Sequence, residues 1–147
     1  MIYIDTNVFL SVLFSNKHSA RAFEILSTSV EPVTSQTVIN ESLYLIARNE
    51  AEKLGIKGVY DFKRYVEKSG LSFAKQSFET FFSLLDDAGV EIIEEPQDPK
   101  KLMKLMLTYS LLPNDAQIAL TCWENNIEEI ATFDGAFENV PFLSVVR

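Results

Sequence analysis

Four of the 21 acidic residues in this 147-residue chain stand where carboxylates could act together. Asp5 directly follows the apolar run Ile2-Tyr3-Ile4, and Asp134 directly follows Glu129-Ile130-Ala131-Thr132-Phe133. Glu41 stands three residues after Val38 and four before Leu45, while Asp115 precedes Ala119 by four, Cys122 by seven and Trp123 by eight. Both of these acids therefore share a helical face with apolar side chains. A carboxylate aimed at a core is costly unless it is paired, protonated or bound to a metal. Gathered carboxylates bind Mg²⁺ or Mn²⁺, hard ions that prefer oxygen ligands and keep several waters. Such an ion acidifies a bound water and steadies charge on phosphoryl oxygens, which are the two requirements of phosphodiester cleavage. Each acid alone has an ordinary use: Asp5 as a helix cap, Asp115 beside the positive end of a helix, Asp134-Gly135 as a turn. With one acid in every seven residues, a single carboxylate says little. Four converging on one edge would say much.

The elements that must position them alternate along the chain. Ile2-Tyr3-Ile4 reads as a buried strand. Val8, Phe9, Val12 and Leu13 recur at helical spacing, and Ala22, Phe23, Ile25 and Leu26 suggest a second helix. Pro32-Val33-Thr34 is a short extended piece, after which Ser35 is the expected cap of a helix running to about residue 52. Helical patterns follow over roughly 58–68 and 73–88, then a strand at 90–93 closed by Glu94-Glu95-Pro96. Leu102, Leu105 and Met106 sit on a helix ending near Leu112-Pro113, and another is expected to begin at an Asn114 cap and continue to about Asn125. Strands at 129–133 and 142–146 complete the pattern. Short strands separated by helices predict an α/β fold: a three-layer α/β/α sandwich with a mostly parallel sheet. In such sheets ligands bind beyond the carboxyl ends of the strands, an edge that all four acids could reach.

Composition narrows the function classes. Apolar residues at 47%, charged residues at 23% and eleven Phe describe one globular domain over residues 1–147. One cysteine, Cys122, makes no internal disulfide, and with His18 as the single histidine a Cys/His zinc site is excluded within one chain. The N-terminus reaches an acid at position 5, unlike a signal peptide, and no run approaches 18 apolar residues, so a cytoplasmic protein without a membrane span is expected. The net charge is −8, unevenly placed. Residues 48–75 carry seven bases against four acids, whereas residues 76–147 carry four against thirteen. Proteins that hold nucleic acid through phosphate contacts alone are usually basic. An acidic chain acts on a polyanion when metal ions neutralise its carboxylates. His18, within Ser15-Asn16-Lys17-His18-Ser19, reads as a surface residue, and Cys122 and Trp123 as core or interface. Ser11 has no elbow motif and no neighbouring histidine.

Ile4-Asp5-Thr6-Asn7-Val8, Asn40-Glu41, Pro113-Asn114-Asp115-Ala116 and Thr132-Phe133-Asp134-Gly135-Ala136-Phe137 together resemble the PIN domain. The likeness extends to the toxin subunits of prokaryotic VapBC toxin–antitoxin pairs, in order and at ordinary spacing. The resemblance implies an α/β/α fold and metal-dependent endoribonuclease activity on an RNA substrate. It implies an acidic metal cluster of Asp5, Glu41, Asp115 and Asp134, with Asn7 and Thr132 as polar supports. Asp5 and Asp115 would hold the principal ion, and Glu41 and Asp134 a second ion or a water. The family often ends its last motif with Asp-Phe. Here Ala136 precedes Phe137, so Asp134 supplies the fourth acid alone. The resemblance further implies a homodimer and a cognate antitoxin protein that fills the active-site groove. Phe9, Leu10, Leu13, Phe14 and Phe23 exceed what one core-facing stripe requires, as an interface would.

Other classes fit less well. A haloacid-dehalogenase-type phosphatase needs a second acid where Asn7 stands. A response-regulator receiver needs a lysine after its last strand, and none follows Lys104. A stand-alone PIN nuclease of RNA processing, or a non-catalytic module on the same fold, remain as alternatives.

Overall fold

A computed structural model describes residues 1–147. Five short strands form one sheet: β1 (Ile2–Ile4), β2 (Pro32–Ser35), β3 (Glu91–Ile93), β4 (Glu129–Ala131) and β5 (Ser144–Val146). Every pairing is parallel and the order is β3-β2-β1-β4-β5. The helices are α1 (Thr6–Leu13), α2 (Ser19–Thr28), α3 (Gln36–Lys53), α4 (Val59–Ser69), α5 (Lys75–Asp87), α6 (Pro99–Tyr109) and α7 (Pro113–Glu124). A parallel sheet needs crossovers, and right-handed crossovers place the α1–α5 set on one face and α6 and α7 on the other. The expected three-layer sandwich is therefore observed. No helix is long and apolar enough to cross a membrane.

The central strand β1 explains the core. Tyr3 and Ile4 are fully buried, as strands covered on both faces must be. Val8, Phe9, Val38, Ile46, Phe81, Ile118 and Ile130 join them in one contiguous cluster. Phe9 is thus core, meeting Phe81 edge-to-face at 5.8 Å. It belongs to a thick layer because α5 covers α1, and not to an exposed surplus. Leu10, Leu13 and Phe14 are half-buried against the same cluster, and only Phe23 of the five stands well exposed. The larger apolar opening lies elsewhere, between α3, α4 and α5. It is a groove of about 640 Å³ lined by Leu43, Tyr44, Phe62, Val66, Phe78 and Phe82. Segment 55–89 builds its outer wall over a small separate core of Ala47, Ala51, Phe62 and Ala74.

Two helix starts differ from expectation. Pro113 occupies the first turn of α7, where its missing N–H costs nothing, so the cap is Leu112 and Asn114 lies inside the helix. Ser35 does cap α3 in backbone terms, but its hydroxyl makes no bond to the helix. It donates instead to Glu95 Oε1 at 2.6 Å, and the same oxygen accepts the Thr37 N–H at 2.6 Å. With the serine hydrogen spent on Glu95, Tyr3 must donate its phenol to Ser35. Burial holds that phenol well above its usual pKa, so it is a donor at any physiological pH. Glu95, from the loop after β3, thereby caps α3 and ties it to β1. Replacing Glu95 by Ala should lower stability by about 1–2 kcal/mol, the cost of losing a helix cap and a charged acceptor. Thermal denaturation of the variant measures it, and an unchanged Tm would show that the capping contact carries no stability.

Candidate active site

The sheet order fixes the crevice. β1 and β4 are neighbours in space, yet the chain runs outward from β1 to β3 before returning to β4 on the other side. Beyond the carboxyl ends of this pair lies the point where α/β sheets bind ligands. Asp5 leaves β1 there, and Thr132-Phe133-Asp134 leaves β4 there.

Asp5 is 6% exposed and accepts three hydrogen bonds, which leaves one acceptor site on Oδ1. As N-cap of α1 it accepts the Thr6 N–H on Oδ1 at 2.7 Å. Its Oδ2 accepts the Thr132 hydroxyl at 2.7 Å and Asn7 Nδ2 at 2.9 Å. The capping use and the functional use of Asp5 thus coincide in one side chain. Thr132 Oγ1 in turn accepts from Asn7 Nδ2 at 2.9 Å and from the Asp134 N–H at 3.1 Å, which saturates the hydroxyl. Asn7 Oδ1 accepts the Phe133 N–H at 2.9 Å. Asn7 and Thr132 therefore sew the end of β1 to the end of β4 and fix the Asp5 carboxylate between them.

The other acids surround this centre. Glu41, half-buried on the second turn of α3, accepts the Thr6 hydroxyl on Oε2 at 2.9 Å. Thr6 consequently serves two carboxylates, its N–H to Asp5 and its hydroxyl to Glu41. In the sequence, the only sign of Thr6 is its place directly after Asp5, in the first helical turn. Asp115, in the first turn of α7, is half-buried, and its carboxylate accepts no hydrogen bond within the chain. Asp134 is exposed at the rim, with Oδ1 accepting the Ala136 N–H at 3.1 Å, so it does act as a turn former as well.

Electrostatics ties the four together. Burial pushes the Asp5 carboxyl up to about 6, against the lowering effect of the Thr132 and Thr6 bonds, and the fields of Glu41 and Asp115 push it the same way. Burial also raises Asp115, aided by Asp134 and then Glu41. Negative potential therefore accumulates around Asp5 and Asp115, while Arg147, which donates to the Asp134 carbonyl at 3.4 Å, pairs with Glu138 at the rim. No three carboxylates, imidazoles or thiols meet at one ligating point. The arrangement is open. Mg²⁺ is commonly held through only one or two carboxylates, with waters completing its octahedron, so an open all-oxygen set suits such an ion. Cys122 is buried near Asp5, its thiol pushed up to about 12 mainly by burial, and is inert as a nucleophile. His18 lies half-buried against Phe133 and is less exposed than its polar neighbourhood suggested.

Comparison with known proteins gives these features a family. The chain is 25% identical to Ribonuclease VapC6 of Methanocaldococcus jannaschii, across 99% of this chain and 96% of that protein. Its fold superposes on the Mycobacterium tuberculosis toxin VapC20, described as cleaving the sarcin-ricin loop, with a TM-score of 0.67 at 14% identity, covering 97% of each chain. It also superposes on a chain of a toxin–antitoxin complex from Klebsiella pneumoniae, with a TM-score of 0.58 at 19% identity, covering 100% of this chain and 97% of that one. The PIN domain model matches residues 2–143, nearly the whole chain. With its parallel sheet and the acids at its switch point, the chain belongs to the PIN domain family.

Proposed function

We propose that this chain is a metal-dependent endoribonuclease and the toxin of a toxin–antitoxin pair, acting in the cytoplasm as one domain spanning residues 1–147. The observation that carries the reading is the buried Asp5 carboxylate, raised to about 6 inside a set completed by Glu41, Asp115 and Asp134. Such a set is unfavourable by itself and becomes favourable around a hard dication. A bound Mg²⁺ or Mn²⁺ would supply an acidified water and neutralise charge on the scissile phosphate. Asp5 and Asp115 are the ligands for a principal ion, Asp5 because it is rigidly held and Asp115 because its oxygens are free of protein donors. Glu41, oriented by Thr6, and Asp134 at the rim hold a second ion or position water. Asn7 and Thr132 set the direction of the Asp5 lone pairs.

The RNA substrate is supported by the ribonuclease name of the relative in Methanocaldococcus jannaschii and by the loop-cleaving toxin of matching fold. An antitoxin partner is supported by the toxin–antitoxin complex of the same fold. A homodimer completes the assembly proposed.

Purified protein should cut single-stranded or looped RNA with Mg²⁺ or Mn²⁺, stop with EDTA, and resume when the ion is restored. Cleavage that resists EDTA and survives Asp5→Asn would identify a contaminant and remove the mechanism.

A further inference from the structure

In a chain of net charge −8 that gathers carboxylates at its site, contacts to RNA bases would add affinity that phosphate attraction at that site supplies poorly. A group suited to that stands at the rim. The imidazole of His18 lies flat on Phe133, ring centroids 4.3 Å apart and planes 11° from parallel. Phe133 is rooted in the main core cluster, and its backbone N–H is held by Asn7 Oδ1 between the site residues Thr132 and Asp134. His18 is fixed by its own turn. Its backbone N–H donates to Asn16 Oδ1 at 2.8 Å, and Asn16 Nδ2 donates to Ser11 Oγ at 3.2 Å. Asn16 N–H donates to Ser19 Oγ at 2.7 Å, and the Ser19 hydroxyl donates to the Ser11 carbonyl at 2.6 Å. The imidazole nitrogens bond to nothing in the chain and are not sealed from solvent. This is a preorganised, half-open aromatic surface one residue from two members of the site.

We propose that the His18–Phe133 stack is a subsite for an unpaired nucleobase of the RNA, stacked on the imidazole while its phosphate lies toward Asp5 and Asp134. The inference rests on the ribonuclease reading. Stacking tolerates any base and gains affinity without adding cationic contacts. It also favours splayed, single-stranded or looped RNA over a duplex, whose bases are already stacked.

The test is fluorescence anisotropy of a labelled hexauridine RNA in EDTA, where nothing is cut, alongside cleavage kinetics with Mn²⁺. His18→Ala should raise the Kd about tenfold, the scale of one aromatic–base stack, and raise KM with little change in kcat. His18→Phe should restore both. An oligonucleotide with one abasic position should bind the unaltered protein about tenfold more weakly, and His18→Ala should add nothing further to that loss. A Kd unchanged in His18→Ala would overturn the subsite while leaving cleavage intact. A Tm loss with Kd and KM unmoved would overturn it equally, reducing the stack to a structural contact. Weakening in both His18→Ala and His18→Phe would replace stacking with a hydrogen bond and overturn it as well. If no protein cuts RNA yet binding still depends on His18, the ribonuclease reading fails and the base subsite stands.

Discussion

Asp5→Asn should abolish RNA cleavage, lowering kcat/KM by more than about 100-fold, since even partners outside the metal ligands typically account for 10–100-fold. The side chain accepts three hydrogen bonds, from Thr6 N–H, Asn7 Nδ2 and the Thr132 hydroxyl. An amide turned to keep the Thr6 bond presents its NH₂ to two donors, so charge and orientation are lost together. Thr132→Val should fall short of this, by about 10–100-fold, because it leaves the carboxylate and removes one support. Steady-state kinetics of both variants at saturating Mn²⁺ orders the effects. Equal activity in Asp5→Asn and the unaltered protein would remove Asp5 from the chemistry.

The second large effect is on stability. The Asp5 carboxyl titrates at about 6 in the fold against an ordinary 3.8. A raised carboxyl means the folded state binds its proton more tightly than the unfolded chain. The associated stability is fully present below about pH 4 and is lost as pH rises through 6. That span corresponds to roughly 3 kcal/mol, or about 5–10 °C in Tm for a domain of this size. Asp115 is shifted in the same direction and adds to the fall. Glu50, lowered chiefly by its bond from Lys53, works with the opposite sign, but below its ordinary 4.5. Between about pH 4.5 and 6 the metal-free protein should therefore lose stability as pH rises, with little further change above 7, and millimolar Mn²⁺ should offset the loss at pH 7 by binding the folded state. Asp115→Asn forfeits no internal hydrogen bond. It should melt higher than the unaltered protein at pH 7 without metal and gain less from Mn²⁺. Differential scanning fluorimetry across pH, with and without Mn²⁺, separates these outcomes, and equal gains in both proteins would place the ion elsewhere.

What the sequence reveals of this site is what local pattern encodes. Asp5 and Asp134 are visible because each ends an apolar strand, and Glu41 and Asp115 because each interrupts an apolar stripe at helical spacing. The sandwich follows from the same alternation. Contacts between distant segments are not visible this way. Glu95 capping α3 spans 58 residues to Thr37, so Ser35 looks like a conventional cap until β3 is placed beside β2. Asn114 looks like a cap because Asn commonly is one, but Pro113 fixes the first turn one residue earlier. Phe9 looks like interface because periodicity cannot tell that α5 will cover α1. Phe142 and Leu143 read as strand, yet β5 begins at Ser144, since pairing with β4 extends only over Glu129–Ala131.

The placement of β4 beside β1 also sets a clock on activity. Asp5 is among the first residues made and waits for a hydroxyl 127 positions later. At about 5–20 residues per second, synthesis leaves that gap open for roughly 6–25 s. During it a growing chain gains Glu41 early and Asp115 late, and it lacks β4 until just before the end and Asp134 until after it. A half-made chain that has emerged from the ribosome through β3 thus holds two of the four acids and lacks the Thr132 brace. On the proposed reading, the acid set is therefore completed only when translation is nearly finished.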